Sequence, residues 1–283
     1  MNVRVLLNKV SHTLPDSVYL RLKFLQRTGR ILSLNKPVTY NEKLQWIKLY
    51  DRKPIYTQMV DKYAVKGFVS ERIGEEYIIP TLGVWDRFDD IDFDKLPDQF
   101  VLKCTHDSGG LVICRDKSVF DIQAAKKKIE GSMSNNYFWH GREWPYKNVK
   151  HKIIAEKYME DTETRELRDY KIYTFEGKAR LCMINQNRGI DTRADYFDKQ
   201  FNWLELKWGY EHADVKPQKP RNYEKMFELA EALCKGTHEL RVDFYEVDGK
   251  LYFGELTFFD GSGFEVVEPH DWNVKLGSWI DIP

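Results

Sequence analysis

At 283 residues the chain can bury a large core, in one elaborate domain or in two to three tightly joined subdomains. Lys plus Arg and Asp plus Glu both number 44, so the formal charge is zero, against a general nucleic-acid-binding surface, which would carry a basic excess. No apolar run approaches membrane-spanning length, and the N-terminus lacks a signal peptide's apolar core and cleavage site, so a cytoplasmic protein with no transmembrane segment is expected.

Residues 1–60 read as helical, with apolar residues at helical spacing through Val18–Leu25 and Leu44–Leu49. Leu34–Pro37 breaks the pattern, and Thr39 or Asn41 suits the cap of the helix containing Trp46. The basic residues Arg21, Lys23, Arg27 and Arg30 are expected on a wet helix face. Residues 59–80 predict a helix with Asp61-Lys62 in its early part, then a short strand ending at Pro80.

Residues 100–117 predict two apolar strands joined by His106–Gly110. Lys103 lies within the first strand, between Leu102 and Cys104. A half-buried lysine wants an anion. The Gly109-Gly110 pair beside it can bring backbone N–H groups close to phosphate oxygens, although most such pairs only make turns. An amphipathic helix is expected over 121–135, with Ala124, Ala125 and Ile129 inward, then an aromatic loop with Tyr137, Trp139 and Trp144. A strand ending in Glu156-Lys157-Tyr158 precedes an acidic loop with Glu163. Residues 167–184 predict a hairpin turning at Glu176-Gly177, with Asp169 and Lys171 on one face. Residues 185–220 read as irregular. Residues 219–236 predict an amphipathic helix, with Met226, Leu229, Ala230 and Leu233 inward. The four cysteines, 104, 114, 182 and 234, are widely spaced and read as buried free thiols.

Residues 241–257, RVDFYEVDGKLYFGELT, predict a hairpin about Asp248-Gly249. A plain two-residue loop would put Asp243 and Glu255 on opposite faces; an odd-numbered loop with Gly249 in a bulge would unite them. Together with Arg241 they would then form either a site for Mg2+ and phosphate or a solvated face with an ordinary Arg–Asp pair. The hairpin alone leaves both open. The Gly-rich and acidic segment 258–277 is expected to be a loop walling the same site.

In order, the strings KPVTYNEKLQWIKLY, DKYAVKGFV, IGEEYIIPTLGV, LPDQFVLKCTHDSGG, IIAEKYMED, RDYKIYTFEGKA and RVDFYEVDGKLYFGELTF, with Leu276-Gly277, resemble the TupA-like ATP-grasp family of bacterial surface-polysaccharide synthesis. The resemblance runs from about residue 35 to the C-terminus. It implies an α+β ATP-grasp fold, two subdomains gripping ATP between antiparallel sheets. The implied division is a helical segment 1–60, a nucleotide-binding subdomain 61–155 and a C-terminal subdomain 156–283. Lys62 and Lys103 would contact phosphates, under a flap of Ser108, Gly109 and Gly110. Glu156, Lys157 and Tyr158 would form the adenine hinge, and Glu163 would bind the ribose. Asp243 and Glu255 would hold Mg2+, with Thr257 where many relatives have Asn. Arg241 would steady transition-state charge, and Lys171 would lie near the phosphates or acid. Lys66 departs from the expected Arg.

The resemblance implies a carboxylate–amine ligase that joins an amino acid or small amine to a uronic acid of a glycan or sugar nucleotide. ATP and Mg2+ are the implied cofactors, and peripheral contact with polysaccharide synthesis machinery is the implied association. Two alternatives stand beside it: a kinase phosphorylating a sugar hydroxyl, and a non-catalytic glycan-binding or scaffold protein. A chemistry based on lysines, carboxylates and an arginine fits phosphoryl transfer, which needs positioning and charge neutralisation more than a protein nucleophile.

Overall fold

The computed structural model describes residues 11–163, 167–186 and 191–283. The N-terminal part is helical: α1 (Asp16–Thr28), α2 (Tyr40–Tyr50), α3 (Ile55–Val60) and α4 (Ala64–Ile73). The first ten residues, also expected to be helical, lie outside the described residues. Helix α2 starts where its sequence says it should. Thr39 accepts from Glu42 N–H while Glu42 reaches back to the Thr39 N–H, a reciprocal capping box.

Two sheets follow. The first has four strands, β1 (Thr81–Trp85), β2 (Phe100–Cys104), β3 (Leu111–Cys114) and β4 (Ile153–Lys157), in the order β1-β4-β2-β3. Its alternation is regular: Phe100, Leu102 and Cys104 are buried, whereas Val101 and Lys103 face the other way. The buried face packs on Ala125 and Ile129 of α5 (Ile122–Met133), and each large apolar side chain removed from water there contributes about 1.5–3 kcal/mol. A short helix α6 (Phe138–Gly141) lies between α5 and β4.

The second sheet takes β5 (Asp169–Phe175), β6 (Lys178–Gln186), β7 (Arg193–Asp198), β8 (Trp203–Leu204), β10 (Glu239–Val247) and β11 (Lys250–Thr257), in the order β11-β10-β5-β6-β7-β8. Helix α7 (Tyr223–Leu233) buries Met226, Phe227, Ala230 and Leu233 in the core beneath it. A small pair, β9 (Lys207–Trp208) with β12 (Val267–Glu268), and helix α8 (His270–Ser278) complete the fold. All four cysteines are buried and free. Among the described residues no helix is long and apolar enough to cross a membrane.

Several expectations are corrected. Asp61-Lys62 precedes α4 rather than lying in it, because the Asp61 carboxylate accepts the N–H groups of Tyr63 and Ala64 at the helix start. The strand expected to end at Pro80 begins after it: the ladder opens at Thr81 opposite Glu156, and proline has no N–H to donate. Ala124 is exposed; Ala125 and Ile129 carry the buried face of α5. The tract 185–220 holds β7 to β9. Its polarity misled because Asp195, fully buried, accepts from Trp203 Nε1 and pairs with His212. The loop expected over 258–277 contains α8.

Candidate active site

A cleft of about 1090 Å³ opens between the two sheets. One end is basic. β4 lies between β1 and β2, so the Glu156 side chain meets the neighbours on both sides. Its Oε2 is 2.6 Å from Lys103 Nζ and its Oε1 is 2.5 Å from Lys66 Nζ, with Glu156 only 5% exposed. Lys66 also donates to Ile79 O and Thr81 Oγ1. Burial pushes the Glu156 carboxyl up, but Lys103 and Lys66 outweigh it and hold the group below its ordinary value. Burial also pulls Lys66 down, against the attraction of Glu156. Lys62 donates its Nζ to Asp107 O, and its backbone N–H bonds Thr105 O at 3.0 Å, which ties the turn before α4 to the glycine loop.

That loop is closed from within. The Gly110 N–H donates to both Asp107 carboxylate oxygens at 3.0 and 3.2 Å, and Asp107 also accepts from Ser132 Oγ. A Cβ on Gly110 would meet Cys104 Sγ at 2.5 Å, so close approach is what requires glycine there. The Gly110 N–H expected to face phosphate is therefore engaged by Asp107. Lys157 and Tyr158 line the cleft; the Lys157 N–H is used by Pro80 O, and the Tyr158 hydroxyl bridges Arg115 and Glu160.

The other end is acidic and rests on the β10–β11 hairpin. Asp243 and Glu255 stand directly opposite each other on one face, with Arg241 opposite Thr257. The turn does not bring this about. Asp248 and Gly249 make a two-residue loop with φ of 51° and 74°, the left-handed pair of a tight hairpin turn. The correction comes further along, where Phe244 pairs with Phe253 and Asp243 with Glu255, leaving Gly254 as a bulge.

Around the pair, Arg241 reaches Asp243 Oδ1 from Nε at 2.7 Å, Glu255 Oε1 from Nη2 at 3.1 Å, and Asp260 from Nη1. Lys171 on β5 lies between Asp243, at 2.6 Å, and Asp169, at 2.5 Å. Asp260 also accepts from the Tyr173 hydroxyl. Burial works against ionisation of Asp243, but Arg241 and Lys171 hold its carboxyl below the usual range. The same attraction raises Lys171 against burial.

Among the described residues, Asp169, Asp243, Glu255 and Asp260 thus surround Arg241 and Lys171. Among the described residues no three His, Cys, Asp or Glu side chains group to hold a metal ion by themselves. This donor set suits Mg2+, which binds through one or two carboxylates with substrate phosphates rather than in an all-protein cage. Glu255 is the member of the pair open to the cleft, its side chain 39% exposed against 4% for Asp243.

The TupA-like ATPgrasp family matches residues 42–281. The chain belongs to this family. Its α+β architecture of antiparallel sheets and helices is the ATP-grasp fold. Among solved structures it is similar to the D-alanine–D-alanine ligase of Bacillus anthracis complexed with ATP, at 16% identity and a TM-score of 0.43, over 77% of this chain and 55% of that one. It is also similar to the L-amino acid ligase of Bacillus licheniformis, at 15% identity and a TM-score of 0.47, over 79% and 49%. The D-alanine–D-alanine ligase of Helicobacter pylori gives 12% identity and a TM-score of 0.45, over 85% and 69%. This chain thus spans about half the length of the first two. No curated protein matches.

Of the residues singled out from the TupA-like ATPgrasp resemblance, Lys62, Lys103, Ser108, Gly110, Glu156, Lys157, Tyr158, Lys171, Arg241, Asp243 and Glu255 line one cleft. Glu163 is exposed on its loop and does not line it, whereas Glu160 does. Gly109 and Thr257 also lie outside the lining; Thr257 Oγ1 donates to Glu255 Oε1 at 3.4 Å. The sequence reading missed Asp260 as a partner of Arg241. Its signal was available in Asp-Gly-Ser-Gly just past the second strand. Lys66, noted only as a departure, shares Glu156 with Lys103.

Proposed function

We propose that this chain is an ATP-dependent carboxylate–amine ligase. The observation that carries the proposal is the lining of one cleft: Lys62, Lys66 and Lys103 gather on the side of the first sheet, and Arg241, Lys171, Asp243 and Glu255 stand on the second. ATP would lie along it, with Lys62, Lys103 and the Ser108–Gly110 loop at the phosphates and the Glu156–Tyr158 edge at the adenine. Glu163 is assigned the ribose with less support than Glu160, which faces the cleft. Asp243 and Glu255 would hold Mg2+, with Thr257 supporting Glu255 through its hydroxyl. When bound, Mg2+ neutralises charge on the β- and γ-phosphates.

In the first step a carboxylate oxygen of the acid attacks the γ-phosphorus, the bond to the β,γ-bridging oxygen breaks, and ADP leaves. Arg241 and Lys171 oppose the negative charge of the transferring group. In the second step the amine nitrogen attacks the acyl carbon, phosphate departs with the C–O electron pair, and the nitrogen gives up a proton. The resulting bond is an amide. The resemblance supports a uronic acid carboxyl of a surface glycan as the acid and an amino acid or small amine as the partner, at the cytoplasmic side of polysaccharide synthesis. The corresponding domain division is 1–60, 61–155 and 156–283.

A hydroxylamine trap tests this. Protein, Mg-ATP and a panel of uronic acids and uronate-bearing nucleotides are incubated with hydroxylamine, and the products are read by mass spectrometry. Hydroxamate matched by ADP, with both lost in Glu255→Ala, is expected. ADP matched by a phosphorylated acceptor without hydroxamate would make the protein a kinase, and failure to bind Mg-ATP would favour the scaffold role.

A further inference from the structure

Arg241 and Lys171 are both engaged at the acidic end. Arg241 is shared by Asp243, Glu255 and Asp260, and Lys171 by Asp169 and Asp243. One further carboxylate lines the cleft there. The half-buried Glu265 side chain makes no hydrogen bond or ion pair among the described residues. Its place is built by backbone. A methyl on Gly209 would come within 2.5 Å of Glu265 Oε2, and one on Gly261 within 2.5 Å of its Cδ. Both glycines have positive φ, 75° and 52°. The β9–β12 pair sets the spacing, because Val267 pairs with Trp208, the residue before Gly209.

Trp208 supplies a second, independent sign of a missing ligand. It lines the same cleft, its ring held by Tyr40 and Tyr173 at centroid distances of 4.8 Å, and it is 1% exposed. Its Nε1–H has no hydrogen-bond partner among the described residues. Buried indole N–H groups ordinarily find an acceptor. An unpaired carboxylate and an unused donor on residues that line the same cleft describe a ligand with a cationic nitrogen and an oxygen acceptor. The acid substrate is the wrong charge for Glu265. Burial, reinforced by Asp260, raises the Glu265 carboxyl against the pull of Arg27 and Arg241, and an ammonium group would relieve that cost.

We infer that Glu265 and Trp208 form the subsite for the amine co-substrate, Glu265 accepting from its ammonium group and Trp208 Nε1–H donating to an oxygen beside that nitrogen. The inference rests on the ligase proposal and names the class of its second substrate, an amino acid or amino alcohol.

The test separates the two ideas, because hydroxylamine is mostly uncharged at neutral pH and needs no ammonium subsite. Hydroxamate formation by the wild type reports the acyl phosphate without drawing on the subsite. With glycinamide or ethanolamine as nucleophile, the KM for the amine should rise about tenfold or more in Glu265→Gln, and less steeply in Trp208→Phe. Equal amine KM values overturn the subsite while leaving the ligase proposal intact. Absence of hydroxamate in the wild type overturns the ligase proposal. Calorimetric titration of the same two amines, with Mg-ADP present, needs no turnover. Binding to the wild type that Glu265→Gln weakens supports the subsite; equal binding to both, or none to the wild type, overturns it.

Discussion

Replacing Glu156 with Gln probes how the basic end of the cleft is held together. The carboxylate is 5% exposed and takes Lys103 and Lys66 at 2.6 and 2.5 Å, with those side chains themselves only 18% and 14% exposed. Glutamine keeps the volume and one acceptor but removes the charge, leaving two ammonium groups with no counter-ion between them. Breaking a buried pair by removing one partner costs about 3–5 kcal/mol. The retained acceptor puts the expected loss at about 3 kcal/mol, a fall in Tm of about 5 °C for a chain of this length. Polyphosphate would restore the missing negative charge, so Mg-ADP should raise the Tm of Glu156→Gln more than that of the wild type.

Acid titration gives a second signature of the same substitution. The folded Glu156 lies below its unfolded value, so between the two the unfolded chain binds more protons and stability rises with pH. Its contribution is full above about pH 4.3 and is lost as pH falls through the folded value. Glu156→Gln should therefore lose less stability than the wild type on acidification. Urea melts at neutral and acid pH, with and without Mg-ADP, measure all of this. A loss below about 1 kcal/mol at neutral pH, with an unchanged acid slope, would refute the reasoning.

Other substitutions address the remaining parts. Asp260→Asn removes one of the three carboxylates on Arg241 and should lower kcat in the hydroxylamine trap by about tenfold, with Mg-ADP binding by calorimetry unchanged. Lys48→Met should cost about 3 kcal/mol in urea melts, because Lys48 is fully buried and donates to Gly141 O at 2.8 Å and Ser262 O at 2.7 Å, and methionine replaces neither bond. Gly110→Ala should lower the Tm by crowding Cys104 at a cost of about 1–3 kcal/mol; an unchanged Tm would show that the loop yields freely.

Much of the fold was legible because pattern and burial agree. β2 alternates as its side chains alternate between core and cleft, α7 places its apolar residues at helical spacing, and Thr39 with Glu42 announces a helix start. Legibility failed where a buried group is polar. Asp195 sits in the middle of β7 with its carboxylate bonded by Trp203 on β8 and His212 in the loop beyond, partners that no local window contains. Helix α8 has a similar history: the Gly and Pro residues before it suggested a loop, while its buried Asn273 bonds Asn41 from α2. At the site, strand neighbours such as Arg241 and Asp243 were visible from spacing. Lys66 and Asp260 were not, since each acts through a residue distant in the chain.

The bulge at Gly254 makes distance along the chain a poor ruler for this site. In a hairpin with a two-residue loop, cross-strand partners are separated by an odd number of positions, yet Asp243 and Glu255 are twelve apart and still face each other. Gly254 absorbs the surplus residue, and its deletion would bring Glu255 into the next rung with the same partner, at the expense of the local bend. Two chains can therefore carry this carboxylate pair with spacings that differ by one. A search that fixes the interval would recognise one and pass over the other, whereas following the rungs back from the turn finds both.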